Sequence, residues 1–226
     1  MRYGLREGLS FCRVDDGLIF LDLEADRYFR LGSRLEQALL QHLEGSSHCA
    51  TGLEALLQRN ILVPAHIGAD ATLEAAVTAP SQSLVEHTPA LSGGKQTALL
   101  EVLAIVCRVQ VQLKTRALGR LLGDMATYRD RRVSSAPGDH DQASDPDMVQ
   151  AVQRFRRTRP YVPINTCCLL DSVSLVFFLA RRRLRASLVF GVTNRPFAAH
   201  CWVQNGDWVL NDTVGNALAH TPIRVI

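Results

Sequence analysis

Cys168-Leu169-Leu170-Asp171-Ser172, then Ala199-His200-Cys201-Trp202-Val203, then Val209-Leu210-Asn211-Asp212: three segments in this order decide how the chain reads. A cysteine heads an apolar helix, a histidine stands on one strand and an acid closes the next. These are the residue types of a thiol nucleophile, its base and the group that orients the base, roles defined in space and not by adjacency. From Cys168 to Arg183, the apolar positions Leu169, Val173, Val176, Phe177 and Ala180 recur at the three-and-four spacing of a helix. Ala186 to Val192, His200 to Gln204 and Trp208 to Asp212 read as strands, the last two joined through Asn205-Gly206-Asp207, a tight-turn signal. The expected fold class is α+β, a helix bearing Cys168 packed on an antiparallel sheet.

The chemistry follows from thiol acidity. Thiolate is the attacking species, and a helix N-terminus or a nearby imidazolium lowers a thiol pKa. Cys168 falls in the first helical turn. His200 would take up and return the proton, and Asp212 would fix its tautomer. Cys167 and Cys201 compete for attention. Neighbouring helical side chains diverge by about 100°, so one of Cys167 and Cys168 can face His200, and strand alternation points Cys201 away from it. The same divergence argues against a zinc site built from Cys167, Cys168, His200 and Cys201, which also lack paired ligand spacing; no metal is expected. Asn165 and the Cys168 N–H are candidate oxyanion donors. A buried structural cysteine is the bland rival to the whole constellation. Trp202 and Trp208 read as packing, and His42, His48, His66, His87, His140 and His220 as surface residues.

Composition narrows the class. The chain has 226 residues and a net charge of +3, too weak to argue for nucleic acid. Its basic runs, Arg154 to Arg159 and Arg181 to Arg185, read as solvated helix ends. Six cysteines (12, 49, 107, 167, 168, 201) show no repeated spacing of a disulfide framework. The N-terminus lacks the apolar core of a signal peptide, and the apolar stretch Ala98 to Val111 is interrupted by Glu101, Arg108 and Gln110, so no membrane span is expected. A reducing cytoplasm fits best and would keep a reactive thiol free.

The first 80 residues form a separate pattern. Leu9 to Val14, Leu18 to Leu23 and Arg27 to Leu31 read as a three-stranded meander with turns at Asp15-Asp16-Gly17 and Asp22 to Asp26. Two helices follow, each with a capping-box signature, Ser33 with Glu36 and Thr51 with Glu54. Leu35, Leu39 and Leu43 share a face of the first, and Leu53, Leu56 and Leu57 of the second; Ile61 to Val63 then closes the unit. Pro80, Pro89, Gly93 and Gly94 mark a linker over 81–94. One long helix is expected from about Thr97 to Leu122, and a surface loop from Ser134 to Asp147.

Together with Leu188 to Val192 and Pro196 to Val203, the three opening segments resemble the lasso-peptide biosynthesis B proteins. The likeness covers roughly residues 95–226. It implies a papain-related, transglutaminase-like cysteine peptidase domain with Cys168, His200 and Asp212 as its triad. The N-terminal unit resembles the small winged-helix-like element that binds leader peptides in peptide-modifying systems. There a leader adds as an extra strand, and the matching positions here are Arg27, Tyr28, Phe29, Arg30 and Leu31, with Leu53 and Leu57 on the adjacent helix. Position 171 carries Asp where the resemblance implies a basic residue. The implied domains are 1–80 for leader recognition, 81–94 as linker and 95–226 for catalysis. The implied activity is cleavage between leader and core of a ribosomally made lasso precursor, after a penultimate leader threonine and before macrolactam closure. The implied partners are that precursor and an asparagine-synthetase-like cyclase. No cofactor is expected on this chain, and a need for ATP would enter through the cyclase. Transglutaminase-type transfer to an amine and a non-catalytic adaptor role are the alternatives. A flexibly tethered recognition unit raises effective concentration to roughly millimolar, so removing residues 1–80 is expected to raise KM far more than it lowers turnover.

Overall fold

The computed structural model describes residues 3–45, 50–64, 77–87, 98–133 and 146–226. In its N-terminal part, β1 (Tyr3–Leu5) is a strand the sequence pattern did not announce. It is followed by β2 (Leu9–Val14), β3 (Gly17–Asp22) and β4 (Arg27–Phe29), the expected meander, with β4 at its edge. Two helices follow, α1 (Ser33–Leu43) and α2 (Ala50–Gln58), then β5 (Leu62–Pro64), which pairs antiparallel with β1. Leu39 and Leu56 are fully buried between the helices and the sheet, beside Phe20. The expected capping box of α1 is replaced. Gly32 caps that helix in an extended conformation without a side-chain bond, and Glu36 Oε1 instead accepts the Leu18 N–H at 3.3 Å. The start of α2 borders residues 46–49, outside the described residues, as are His48, His66, His140, Pro89, Gly93 and Gly94.

Part of the expected linker is structured. β6 (Gln82–Ser83) pairs parallel with a strand near the C-terminus, and α3 (Leu84–His87) follows it directly. The single helix expected over 97–122 is two, α4 (Leu99–Thr115) and α5 (Leu118–Val133). Arg116 breaks them with extended backbone, and the new helix is held by the N-terminal unit, where Leu23 O accepts the Gly119 N–H at 3.2 Å. Of the expected 134–147 loop only Pro146 and Asp147 are described, and they open α6 (Pro146–Thr158).

The C-terminal half is completed by α7 (Cys168–Ala180), β7 (Ser187–Thr193), β8 (Ala198–Asn205), β9 (Trp208–Val209), α8 (Val214–Leu218) and β10 (Thr221–Val225). The sheet runs β10-β7-β8-β9-β6, antiparallel except for β6 against β9. The tight turn between β8 and β9 places Gly206 at φ +57°, a left-handed conformation that glycine adopts without strain. α7 is buried over most of its length because it lies between α4, α5 and β8. No described helix is long and apolar enough to cross a membrane.

The two halves are not independent beads. Cys12, Ile19, Leu21 and Leu23 of the meander belong to the same buried core as α7, β7 and β8, and β10 packs against β2. Truncating one large buried side chain costs about 2–5 kcal/mol, and a whole domain has only about 5–15 kcal/mol of stability. A fragment lacking residues 1–80 is therefore expected to lose cooperative folding, seen as loss of a sharp thermal transition. That outcome differs from the simple rise in KM expected of a loose tether; a fragment with native-like melting would contradict the shared core.

Candidate active site

Cys168 occupies the first position of α7, and Cys167 before it is the N-cap, extended at φ −147°, ψ 136°. The first N–H groups of a helix have no partner within it, so the Cys168 thiol stands where backbone donors and the helix dipole favour negative charge. One turn further, Ser172 Oγ donates to Cys201 O at 3.3 Å. That bond fixes α7 against β8, with Cys168 level with the start of the strand that carries His200.

His200 and Asp212 meet as expected. The Nε2–H of His200 donates to Asp212 Oδ2, which leaves Nδ1 for the Cys168 side of the ring. Asp212 is not on a strand, however. β9 ends at Val209, and the next residues bend because side chains take over the ladder. Asn211 Oδ1 accepts the Val203 N–H at 2.7 Å, and Asn211 Nδ2 donates to Ser172 Oγ at 2.9 Å. The carboxylate of Asp212 also accepts the Thr213 N–H at 2.7 Å and Asn216 Nδ2 at 2.8 Å. Its backbone oxygen accepts Ser83 Oγ at 2.5 Å, and Glu86 accepts the Val214 N–H at 3.2 Å. The stretch read as a linker thus braces the acid.

The charges follow from these contacts. Hydrogen bonds from Cys201 and His200 bring the Cys168 thiol down to about 4, against the opposing effect of burial. The bond to Asp212, then the one to Cys168, lifts His200 to about 9. Burial works to raise Asp212, but His200, the Thr213 N–H and Asn216 hold it below the usual carboxylate range. These opposed shifts favour a thiolate–imidazolium pair at rest. Cys201 keeps its proton, since the hydrogen bond it makes to Cys168 and its own burial push that thiol up. Strand alternation does send Cys201 into the core and His200 to the other face, stacked on Trp202 at 6.2 Å. Cys201 nevertheless reaches Cys168, because the start of α7 meets both side chains.

His220, read as a surface residue, lies 5.2 Å from His200 ring to ring, and its Nδ1 donates to Asn216 O at 2.8 Å. His42 bonds Tyr3 O at 3.0 Å, and His87 bonds Ser83 O at 3.0 Å. Asn216 was missed although it stands four residues after Asp212, one helical turn away. Asp171 is answered by Arg159, whose Nε donates to it at 2.7 Å while its other nitrogens hold Ile164 O at 3.0 Å and Asn165 O at 3.2 Å. The guanidinium therefore clasps the loop before Cys168, and Asn165 takes part through its backbone oxygen. Among the described residues no group of three or more His, Cys, Asp or Glu side chains converges as a metal site.

Gly191, opposite His200 in the β7–β8 ladder, has no room for a side chain. A Cβ there would lie 2.7 Å from the Trp202 ring and 2.9 Å from His220 Cβ. Gly191→Ala is expected to cost about 1–3 kcal/mol by overpacking, read as a lower Tm, and to lower turnover by moving the ring on which His200 stacks. An unchanged Tm would show that the indole yields freely.

In the N-terminal unit, Arg27, Phe29, Arg30 and Leu31 line a groove of about 600 Å³ whose other wall is Arg59, Asn60 and Ile61, at the end of α2. Leu53 and Leu57 pack against the apolar core instead. Tyr28 turns toward the C-terminal half, edge-on to Phe197 at 5.7 Å.

Residues 100–225, more than half the chain, match the family model described as the transglutaminase-like superfamily, and the chain belongs to that superfamily. It includes cysteine proteases and acyltransferases. No curated protein and no solved structure matches the chain.

Proposed function

We propose that this protein is a cysteine endopeptidase that removes the leader of a ribosomally made lasso-peptide precursor. The observation that carries the peptidase reading is the Cys168–His200–Asp212 constellation, with its thiol poised as thiolate at a helix N-terminus. Cys168 attacks the scissile carbonyl, and the bond from Sγ to carbon forms as the carbonyl electrons move onto oxygen. The Cys168 N–H faces that oxygen. His200 passes its proton to the leaving amine, then takes one from the water that releases the leader. Asp212 holds the ring throughout.

Leader capture is supported by the groove beside β4. Among the described residues β4 pairs only with β3, so its outer edge offers unpaired backbone groups to an added strand. Arg6, Arg27, Arg30 and Arg59 outnumber Asp22 and Glu24 around the groove, which suits an acidic leader segment. In this reading the N-terminal element is winged-helix-like, the protein works in the cytoplasm, and an asparagine-synthetase-like cyclase closes the macrolactam on the freed amine. The chain itself needs no cofactor, and ATP would serve the cyclase.

The test is cleavage of a precursor encoded beside the gene, followed by mass spectrometry with the cyclase and ATP present. Arg27→Glu is expected to raise KM about tenfold while leaving turnover at saturation intact, as loss of a rim charge does. An unchanged KM would remove the groove from leader binding. Products carrying an added amine would identify a transglutaminase-type transferase instead, and processing that survives Cys168→Ala would identify an adaptor.

A further inference from the structure

We propose that Tyr28, from the N-terminal unit, and Phe197, from the turn before His200, form an aromatic wall of the catalytic cleft that selects the substrate side chain on the acyl side of the scissile bond. The proposal deepens the peptidase reading and rests on it for the word acyl. It also separates Tyr28 from the groove residues on either side of it.

Strand geometry makes that separation. Alternate side chains of β4 point to opposite faces, and Phe29 stacks on Phe20 at 5.1 Å inside the N-terminal core. Tyr28 must therefore point the other way, where it packs against the core that holds α7 and β8. Its phenol is pushed well above the usual tyrosine range chiefly by burial, with the Cys168 thiolate adding to it.

Phe197 is the other half of the wall. It is 52% exposed, so one face stays open beside its contact with Tyr28, and it stands three residues before His200. The pair is T-shaped, a preferred aromatic arrangement. Polar contacts fix it from both sides: Arg30 donates to Asn194 Oδ1, and Asn194 Nδ2 donates to Asp15 Oδ2 at 2.7 Å. The β7–β8 turn is thereby tied to the meander, and the wall is built before substrate arrives.

Chain direction supplies the side. A leader precedes the bond that is cut, and the groove lies along β4, on the strand that carries Tyr28. The substrate segment that passes from the groove to Cys168 is the end of the leader, which becomes the acyl group. Two aromatic faces favour an apolar or aromatic contact there.

The test uses the full-length protein and two thiol reagents, iodoacetamide and an N-tosylphenylalanyl chloromethyl ketone, with Cys168 labelling followed by peptide mapping. Phe197→Ala and Tyr28→Ala are each expected to slow the aromatic reagent about tenfold relative to iodoacetamide, the loss of one aromatic contact. Tyr28→Phe is expected to behave as wild type. An unchanged ratio, or equal loss with both reagents, would overturn the proposal. Phe197 is exposed, so its variant keeps the test valid even if Tyr28→Ala does not fold. With precursor as substrate, the same variants are expected to lower kcat and leave the leader Kd unchanged; a weakened Kd would return Tyr28 to leader binding. Failure of wild type to cleave any precursor would sink the peptidase reading, while the alkylation ratio would still decide the wall.

Discussion

Cys168→Ala is expected to abolish precursor cleavage, a loss of about ten-thousandfold or more, whereas Cys167→Ala is expected to stay near wild type. The magnitude is that of removing a nucleophile whose partners act with it as a unit. Position decides between the two neighbouring thiols. Cys168 is the first residue of α7 and bonds both His200 and Cys201, while Cys167 is the extended cap outside the helix. Cys201 cannot substitute, since it is buried with 3% of its surface accessible and retains its proton. Cys168 itself is exposed, so its truncation leaves no cavity and Tm should hold. Cleavage measured by mass spectrometry and melting measured on the same samples give the answer together. Cleavage that persists in Cys168→Ala and disappears in Cys167→Ala would reverse the assignment.

The helix of Cys168 and the strand of His200 were legible because each announces itself locally: an apolar helix headed by cysteine, and a strand that leaves through the Asn205-Gly206-Asp207 turn. What escaped the sequence was set by contacts distant in the chain. Nothing at Arg116 resembles a helix stop, and the start of α5 is held by Leu23 O on Gly119. β6 is two residues long and pairs with β9 from more than a hundred residues away, so proline and glycine nearby read as linker. The strand expected to reach Asp212 stops at Val209 because Asn211 bonds Val203 and Ser172 through its side chain. Cys201 was lost to a sound rule applied to one element. Alternation describes a strand alone, and the Cys168 thiol arrives from the start of α7. The meander was read correctly as strands, but amphipathic alternation could not reveal that Ile19 and Leu21 enter the core of the C-terminal half while Leu18 and Phe20 enter another.

The kcat/KM of the wild type is expected to rise through pH about 4 and fall through pH about 9, and Asp212→Asn is expected to lower it about ten-thousandfold while moving the upper limb down. The sign follows from the reactive pair. Below the lower limb Cys168 is a thiol and does not attack; above the upper limb His200 is neutral and cannot protonate the leaving amine. The two values belong to the coupled pair, so each limb reports both groups. Asp212 is the largest cause of the raised imidazole. With asparagine in its place the cation loses its counter-charge and gives up its proton at lower pH. The upper limb should then approach the ordinary histidine range near about 6.5. The lower limb should rise as well, because a less persistent imidazolium stabilises the thiolate less. A purely structural role for Asp212 predicts a different pattern, reduced activity at every pH with both limbs in place. An Asp212→Asn profile of unchanged shape would therefore show that the acid does not set the imidazole's charge, and would leave Trp202, on which the ring stacks, as the group that holds His200.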